Sequence, residues 1–521
     1  MDLIRENIHM TRNRCDAGLQ ITLDDDFNVP DAKPDVEKIV QIKGNVVIRD
    51  NKILNGKVLL NGKLLFHLLY ISNNVKNPVH CIRGELPFEE LVNMDEAKLE
   101  DCLEVQCTIE DLSSEFINSR KLNVRSILNF RLVARELYDE NVVVGVKEED
   151  HLCMKKETIH LTQLAVCQKD QFRLKEELYV SAGRPDIGEI IYEEAVLGEQ
   201  DIRVMDGRLG IKGDVSLCIL YLSAEDGSLC CIEKQIPFSE ELEISQIKES
   251  MIPCVVVKQG SQETQIHQDE DGENRIVSWE AVLLVDIKMY EESSCDMISD
   301  AYQPWNETLL NRKETSFEHL LFRNKSKLRL TEQFELGSGK QNVLQILLPE
   351  GNIKLDDIRV VDNGIELEGV LDVKALYLSG EEESPMGTIQ GVLPFSHFVE
   401  IPQIQKEDNF HVEPQTIALG VMMLGSDQVE VKAILDFDVI VFEKKKCNIL
   451  TEIELKNRSP KELAELPGIV GYVVKPGENL WDIAKQFCTT VEDIVKINEL
   501  PNEQVEAGNM LVLMKKLEEY T

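Results

Sequence analysis

An eleven-residue stretch is written three times along this chain of 521 residues. It reads GKLLFHLLYIS at Gly62–Ser72, GDVSLCILYLS at Gly213–Ser223 and GVLDVKALYLS at Gly369–Ser379. Each copy ends in Tyr, an aliphatic residue and Ser. An aliphatic-Pro-Phe step follows each at nearly constant distance: Leu86-Pro87-Phe88, Ile236-Pro237-Phe238 and Leu393-Pro394-Phe395. Pro34-Asp35 precedes the first copy as Pro185-Asp186 precedes the second, whereas the third has Gln341-Asn342 there. A period of about 150 residues is the size of a domain, so the chain reads as tandem domains and not as a solenoid. Units of that size bury roughly 70% of their unfolded surface, so none needs a metal or disulfide staple.

Each copy is dominated by strand signals. In the third, Val429, Val431, Ala433, Leu435, Phe437, Val439 and Val441 take every second position. The second matches with Val277, Trp279, Ala281, Leu283, Val285, Ile287 and Met289, and the first less cleanly from Leu122 to Ala134. Period-two alternation means a strand with one buried face, and alternation over continuous apolar runs favours antiparallel over parallel sheets. The expected class is therefore mainly β: three tandem antiparallel sandwich- or barrel-like repeats in series. Asn55-Gly56, Asn61-Gly62, Asp206-Gly207 and Asn363-Gly364 read as hairpin turns. The repeats are placed at 15–150, 160–302 and 325–445, the last following a linker that contains Pro304-Trp305. Residues 1–14 are a helical or flexible lead-in, and 446–470 a polar linker. Pro34-Asp35 reads as a helix start with Val36, Ile39 and Val40 on one face. Gln262–Glu273 reads as a solvated hairpin loop.

Two local patterns look like ligand loops and fall short. Asp24, Asp26 and Asn28 suggest a calcium loop, but Val29 holds the turn position that needs Gly. Leu336-Gly337-Ser338-Gly339-Lys340 lacks the earlier Gly of a phosphate loop, where Phe334 stands, and is followed by Gln341 in place of Ser or Thr.

Formal net charge is −38, from 94 acidic against 56 basic side chains, which argues against broad contact with nucleic acid or anionic lipid. The N-terminal MDLIRENIHM has no apolar signal core, and no run of ~18 residues is free of charge, so neither export nor a membrane span is expected. Thirteen cysteines without CxxC spacing suit a reducing compartment. The nine histidines form no HExxH, and equivalent steps of the repeat carry His67, Cys218 and Lys374. No catalytic residue, cofactor or metal ligand is expected, and the chain is expected not to be an enzyme.

The last fifty residues differ in kind. Tyr472 to Val474 reads as a strand, Pro476-Gly477 as a turn, and Asn479 as the cap of a helix with Leu480, Ile483, Ala484 and Phe487 on one face. Thr490 with Asp493 starts a second helix, and Met510 to Leu513 closes as a strand. So small a βααβ unit is expected to use Trp481 as core. This unit, placed at 471–516, resembles the LysM module through Tyr472-x-Val474, Lys475-Pro476-Gly477, Leu480-Trp481-x-Ile483-Ala484, Thr490-Val491, Ile497-Asn498 and Gly508. The resemblance implies a groove for N-acetylglucosamine-containing glycans such as peptidoglycan. Its walls would be Gly477, Glu478, Asn479 and Leu480 on one side and Ile497, Asn498, Glu499 and Leu500 on the other. Glu478-Asn479 departs from the family's common Asp-Thr. From Tyr472 onward five lysines face nine carboxylates, and the same groove could dock a protein.

The larger pattern resembles tandem SPOCS domains followed by LysM, as in the SipL-type spore-envelope morphogenetic proteins of clostridia. It rests on the repeat length, on ITLDDDFNVPDAKPDVEKIV from Ile21 and on the strand that ends in Tyr-x-Ser. That resemblance implies a scaffold in the mother-cell cytoplasm at the forespore surface. Its partners would be spore coat morphogenetic proteins, including a polymerising coat-basement ATPase. The alternative is a cell-wall peptidoglycan binder.

Overall fold

The computed structural model describes residues 2–73, 77–147, 152–181, 183–335, 343–347, 349–381, 384–425, 427–459 and 467–516. The first repeat has six strands: β1 (Leu3–Asn28), β2 (Lys38–Leu54), β3 (Lys57–Ile71), β4 (Val79–Asn93), β5 (Cys102–Asn118) and β6 (Lys121–Val146). They form two antiparallel sheets, β1-β6-β5 and β2-β3-β4. The second repeat comprises β7 (Cys153–Tyr179), β8 (Ile187–Leu197), β9 (Asp201–Met205), β10 (Arg208–Ser223), β11 (Leu229–Glu243), β12 (Ile252–Gln268) and β13 (Asn274–Tyr302). The third comprises β14 (Asn306–Glu335), β15 (Val343–Ile346), β16 (Glu350–Val361), β17 (Gly364–Ser379), β18 (Met386–Glu400), β19 (Asn409–Met423) and β20 (Gln428–Asn457). In these two repeats the strand equivalent to β2 is broken in two. Otherwise the pairing repeats: β12-β13-β7 with β11-β10-β8, and β14-β20-β19 with β15, β16, β17 and β18. Each sheet lays one face on the other, as the alternation requires: every one of the seven alternating residues of β13 is buried against Leu209, Ile211, Val215, Leu217, Ile219 and Tyr221 of β10.

The recurring residues of the motif are physically coupled. The motif's first glycine faces the phenylalanine of the Pro-Phe step across the ladder, in the pairs Gly62 with Phe88, Gly213 with Phe238 and Gly369 with Phe395. A Cβ on those glycines would lie 2.6, 2.8 and 3.1 Å from the ring's Cζ, so only glycine leaves room for the ring to lie over the strand. Gly62 is thus a mid-strand position and not the turn residue its Asn-Gly pair suggests. Gly56 and Gly207, with φ of +69° and +72°, are the turn glycines. The buried Tyr70 donates its hydroxyl proton to the Pro34 carbonyl at 3.0 Å, and Tyr221 does the same to Pro185 at 3.1 Å. The Pro-Asp step therefore recurs with the tyrosine because the tyrosine holds it.

Several boundaries differ from the sequence reading, always toward more strand. Leu3–Arg14 is not a helical or flexible lead-in but the outer half of β1, paired antiparallel with β6 as far as Val146, with register shifts between Ile4 and Arg5 and between Asn13 and Cys15. Val36, Ile39 and Val40 do not lie on a helix: β-branched side chains and the Tyr70 bond carry the chain directly into β2. The 262–273 insertion is strand as far as Gln268, leaving a turn closed by Asp269. Residues read as linker before the third repeat and after it, Asn306–Ser316 and Lys446–Asn457, pair with one another as the extended ends of β14 and β20, and Phe317–Asn324 continues β14 along Val439–Lys445. The pattern from Leu336 to Gln341 lies outside the described residues. Asp24, Asp26 and Asn28 sit exposed on β1, where Asn123 Nδ2 donates to both aspartates.

The repeats are not strung in series; they close around a common axis. Leu69, Leu220 and Leu376, each the residue before the motif tyrosine, share one apolar cluster with Val79, Ile191, Leu347 and Met386. Beside it Lys43 of the first repeat bonds both Glu194 of the second and Glu350 of the third. Lys43 and Glu194 are 151 residues apart, the interval from Tyr70 to Tyr221, so equivalent positions meet there. Burial pushes Glu194 up to about 8; the like charge of Glu350 adds, and Lys43 opposes. Further out, the strand extensions build a second three-way cluster. Ile8 and Val142 come from the first repeat, Ile159, Leu161, Cys295 and Met297 from the second, and Phe317 and Ile449 from the third. Ion pairs span every seam: Lys33 with Glu189 at 2.6 Å, Lys327 with Glu199 at 2.8 Å, and Lys313 with Glu140 at 2.9 Å.

Candidate functional site

The C-terminal unit is β21 (Ile469–Val473), α1 (Leu480–Gln486), α2 (Val491–Ile497) and β22 (Met510–Met514). Asn479 Oδ1 caps α1 by accepting from the Asp482 N–H at 3.0 Å, and Thr490 Oγ1 caps α2 by accepting from Asp493 at 3.1 Å. Leu480, Ile483, Ala484, Ile494, Leu511 and Leu513 form the core.

Most of the proposed groove residues have internal duties. Leu480 is core, and Asn479 is the helix cap. Glu478 accepts from the Tyr472 hydroxyl at 2.8 Å and from the Lys475 N–H at 3.0 Å. Those bonds, the Lys475 amide first, hold its carboxyl below the usual range. Asn498 bridges α2 to β22, donating to the Ile494 and Val512 carbonyls and accepting from the Val512 N–H at 2.7 Å. Leu500 packs on the core. Gly477 at φ +84°, Ile497 and Glu499 remain exposed.

Two features lay beyond the reach of the sequence. Trp481 is only half-buried, and its main partner lies outside the unit: its ring meets Tyr302 edge-on at 4.9 Å, and Nε1 donates to Asp300 at 2.8 Å. Trp481 packs on the rim of the unit's core rather than at its centre, so the expectation that it helps fill that core is corrected only in its placement. Lys485 also bonds Asp300 at 2.8 Å, and the Tyr302 hydroxyl donates to the Thr489 carbonyl at 2.9 Å. Burial pushes the Asp300 carboxyl up, but bonds from Lys485 and Trp481 outweigh it and hold the group below its ordinary value. The second feature is an exposed apolar sheet face. Ile469 pairs with Met514, Gly471 with Val512 and Val473 with Met510, all pointing away from the core. Met510 is 82% exposed, which no interior role explains.

Comparison with known families fits this anatomy. The model of the SipL SPOCS domain matches residues 35–117, 186–260 and 342–424, one segment in each repeat, and the LysM domain model matches 472–513. The first two SPOCS segments end inside β5 and β12 and the third one residue past β19, so each leaves out the long first and last strands. No curated protein and no solved structure matches the chain. Among the described residues no helix is long and apolar enough to cross a membrane. The chain belongs to the SPOCS-repeat proteins that end in a LysM domain, and its domains are those of a sporulation-related protein.

Proposed function

We propose that this chain is a non-enzymatic scaffold of spore coat (envelope) assembly, working in the mother-cell cytoplasm at the forespore surface. The SPOCS ring is the platform and the LysM module the adaptor that docks coat morphogenetic proteins, among them a polymerising coat-basement ATPase. One observation carries the adaptor reading: the groove residues Glu478, Asn479 and Asn498 are spent on the module's own fold, while its outer sheet face leaves Ile469, Val473, Met510, Val512 and Met514 uncovered. Sugars are recognised through free donors and acceptors, whereas uncovered Met and β-branched side chains suit a protein surface. The LysM domain itself favours the second reading, peptidoglycan binding.

The two readings separate in one comparison. Wild-type chain and the Val512→Asp variant are used to capture partners from sporulating cells and, separately, are spun down with insoluble peptidoglycan. The adaptor reading expects coat proteins in the wild-type capture, their loss with Val512→Asp, and no sedimentation of either chain. Firm sedimentation of both chains, with the same captured proteins, favours the wall-binding reading.

A further inference from the structure

The central strand of the second repeat differs from its siblings in a way that concerns chemistry. Cys218 on β10 and Glu233 on β11 are direct ladder partners, and Cys231 lies two residues before Glu233, so all three project from the same face of the sheet. The two sulfurs are 3.2 Å apart, and both thiols are buried in the cluster on the axis. One ligand atom from each of the three residues fits within 4.8 Å, the one such grouping among the described residues. The first repeat puts His67, Cys81 and Arg83 at these positions, and the third Lys374, Thr388 and Gln390. An arginine or a lysine in either triple repels a cation, so only the second repeat offers two thiols and a carboxylate. We propose that Cys218, Cys231 and Glu233 bind a thiophilic divalent cation of the zinc class.

Two sulfurs and one carboxylate oxygen suit zinc, which takes tetrahedral sites with Zn–S near ~2.3 Å and tolerates a water as fourth ligand. At that bond length tetrahedral sulfurs stand about 3.8 Å apart, so binding opens the present pair by roughly half an ångström. Both thiols lose their protons and the carboxylate stays ionised, giving the loaded site one net negative charge. Lys374 lines the same small cavity as Cys218, together with Glu194 and Glu350. A cleft lined by Ser181, Arg184, Glu233 and Gln345 opens beside the carboxylate and supplies an entry path. The bound ion ties β10 to β11 where the first and third repeats pack against them. CxxC spacing could not announce the site, because the two thiols stand on neighbouring strands, 13 residues apart.

The test uses the full chain, reduced and metal-free, titrated with Zn²⁺ or Co²⁺ alone. One equivalent of Co²⁺ is expected to give a near-ultraviolet thiolate charge-transfer band, lost in the double variant C218S/C231S and kept in C102S. Glu233 is exposed, so Glu233→Gln leaves the metal-free melting temperature unchanged and weakens Zn²⁺ binding at least tenfold. A band that survives in C218S/C231S, no band in the wild type, or full Zn²⁺ affinity in Glu233→Gln overturns the proposal. Should the double variant not fold, the Glu233→Gln affinity decides alone.

Discussion

Tyr70 and Tyr221 are wholly buried, and each hydroxyl still finds a carbonyl 36 residues away. Removing it leaves a part-buried carbonyl without that donor, so Tyr221→Phe is expected to lower the stability of the chain by ~1 kcal/mol, read from the urea midpoint. Gly213→Val acts through a different cause: its Cβ meets the Phe238 ring at 2.8 Å, and the ring and strand must shift, at ~1–3 kcal/mol. An unchanged midpoint in either variant removes the physical link between the recurring residues. The recurrence of Gly, Tyr, Phe and Pro-Asp was legible in the sequence at once. Their pairing was not, because spacing along a strand does not reveal which residue lies opposite. The same holds for Asn498, whose family position suggests a ligand contact and whose side chain is instead spent bridging α2 to β22.

Among the elements, β13, β20 and the LysM helices were readable because period-two and period-3.6 patterns report one buried face. The ends of β1, β14 and β20 were not, since their apolar residues face neighbouring repeats and follow no single-sheet alternation. Trp481 shows the same limit: a large apolar residue on a small module reads as core until the other body is in view. Trp481→Ala is therefore expected to leave α1 and α2 folded and to release the module from Asp300 and Tyr302. Hydrogen exchange checks this, with faster exchange at the end of β13 and retained protection within α1; loss of protection in both helices points back to an internal core role. Asp300 gives the joint a pH signature. Its carboxyl is held below its ordinary value, so its contribution is complete above the usual carboxylate range and is lost as pH falls through the lowered one. The joint is expected to hold from neutrality to pH ~5 and to weaken only in stronger acid.

For the whole molecule, the axis is the defining feature, and a sequence that shows three repeats says nothing of whether they close. Lys43 bonds both Glu194 and Glu350, and Lys43→Met leaves the buried Glu194 and the half-buried Glu350 facing each other without that bond, a loss of ~3–5 kcal/mol by thermal melting. Glu194 runs opposite to Asp300. Its folded value lies above its unfolded one, so its contribution is full below pH 4.5 and is lost as pH rises through about 8. The melting temperature is expected to fall between pH 6 and 8.5 and to fall less in Glu194→Gln; identical slopes contradict a buried carboxylate at the axis. Small-angle X-ray scattering of the full chain addresses closure most directly. A closed ring with its module docked gives a radius of gyration near ~24 Å, as a compact chain of this length should. Three sandwiches strung in line give a far larger radius and an elongated distance distribution, and that result contradicts the account.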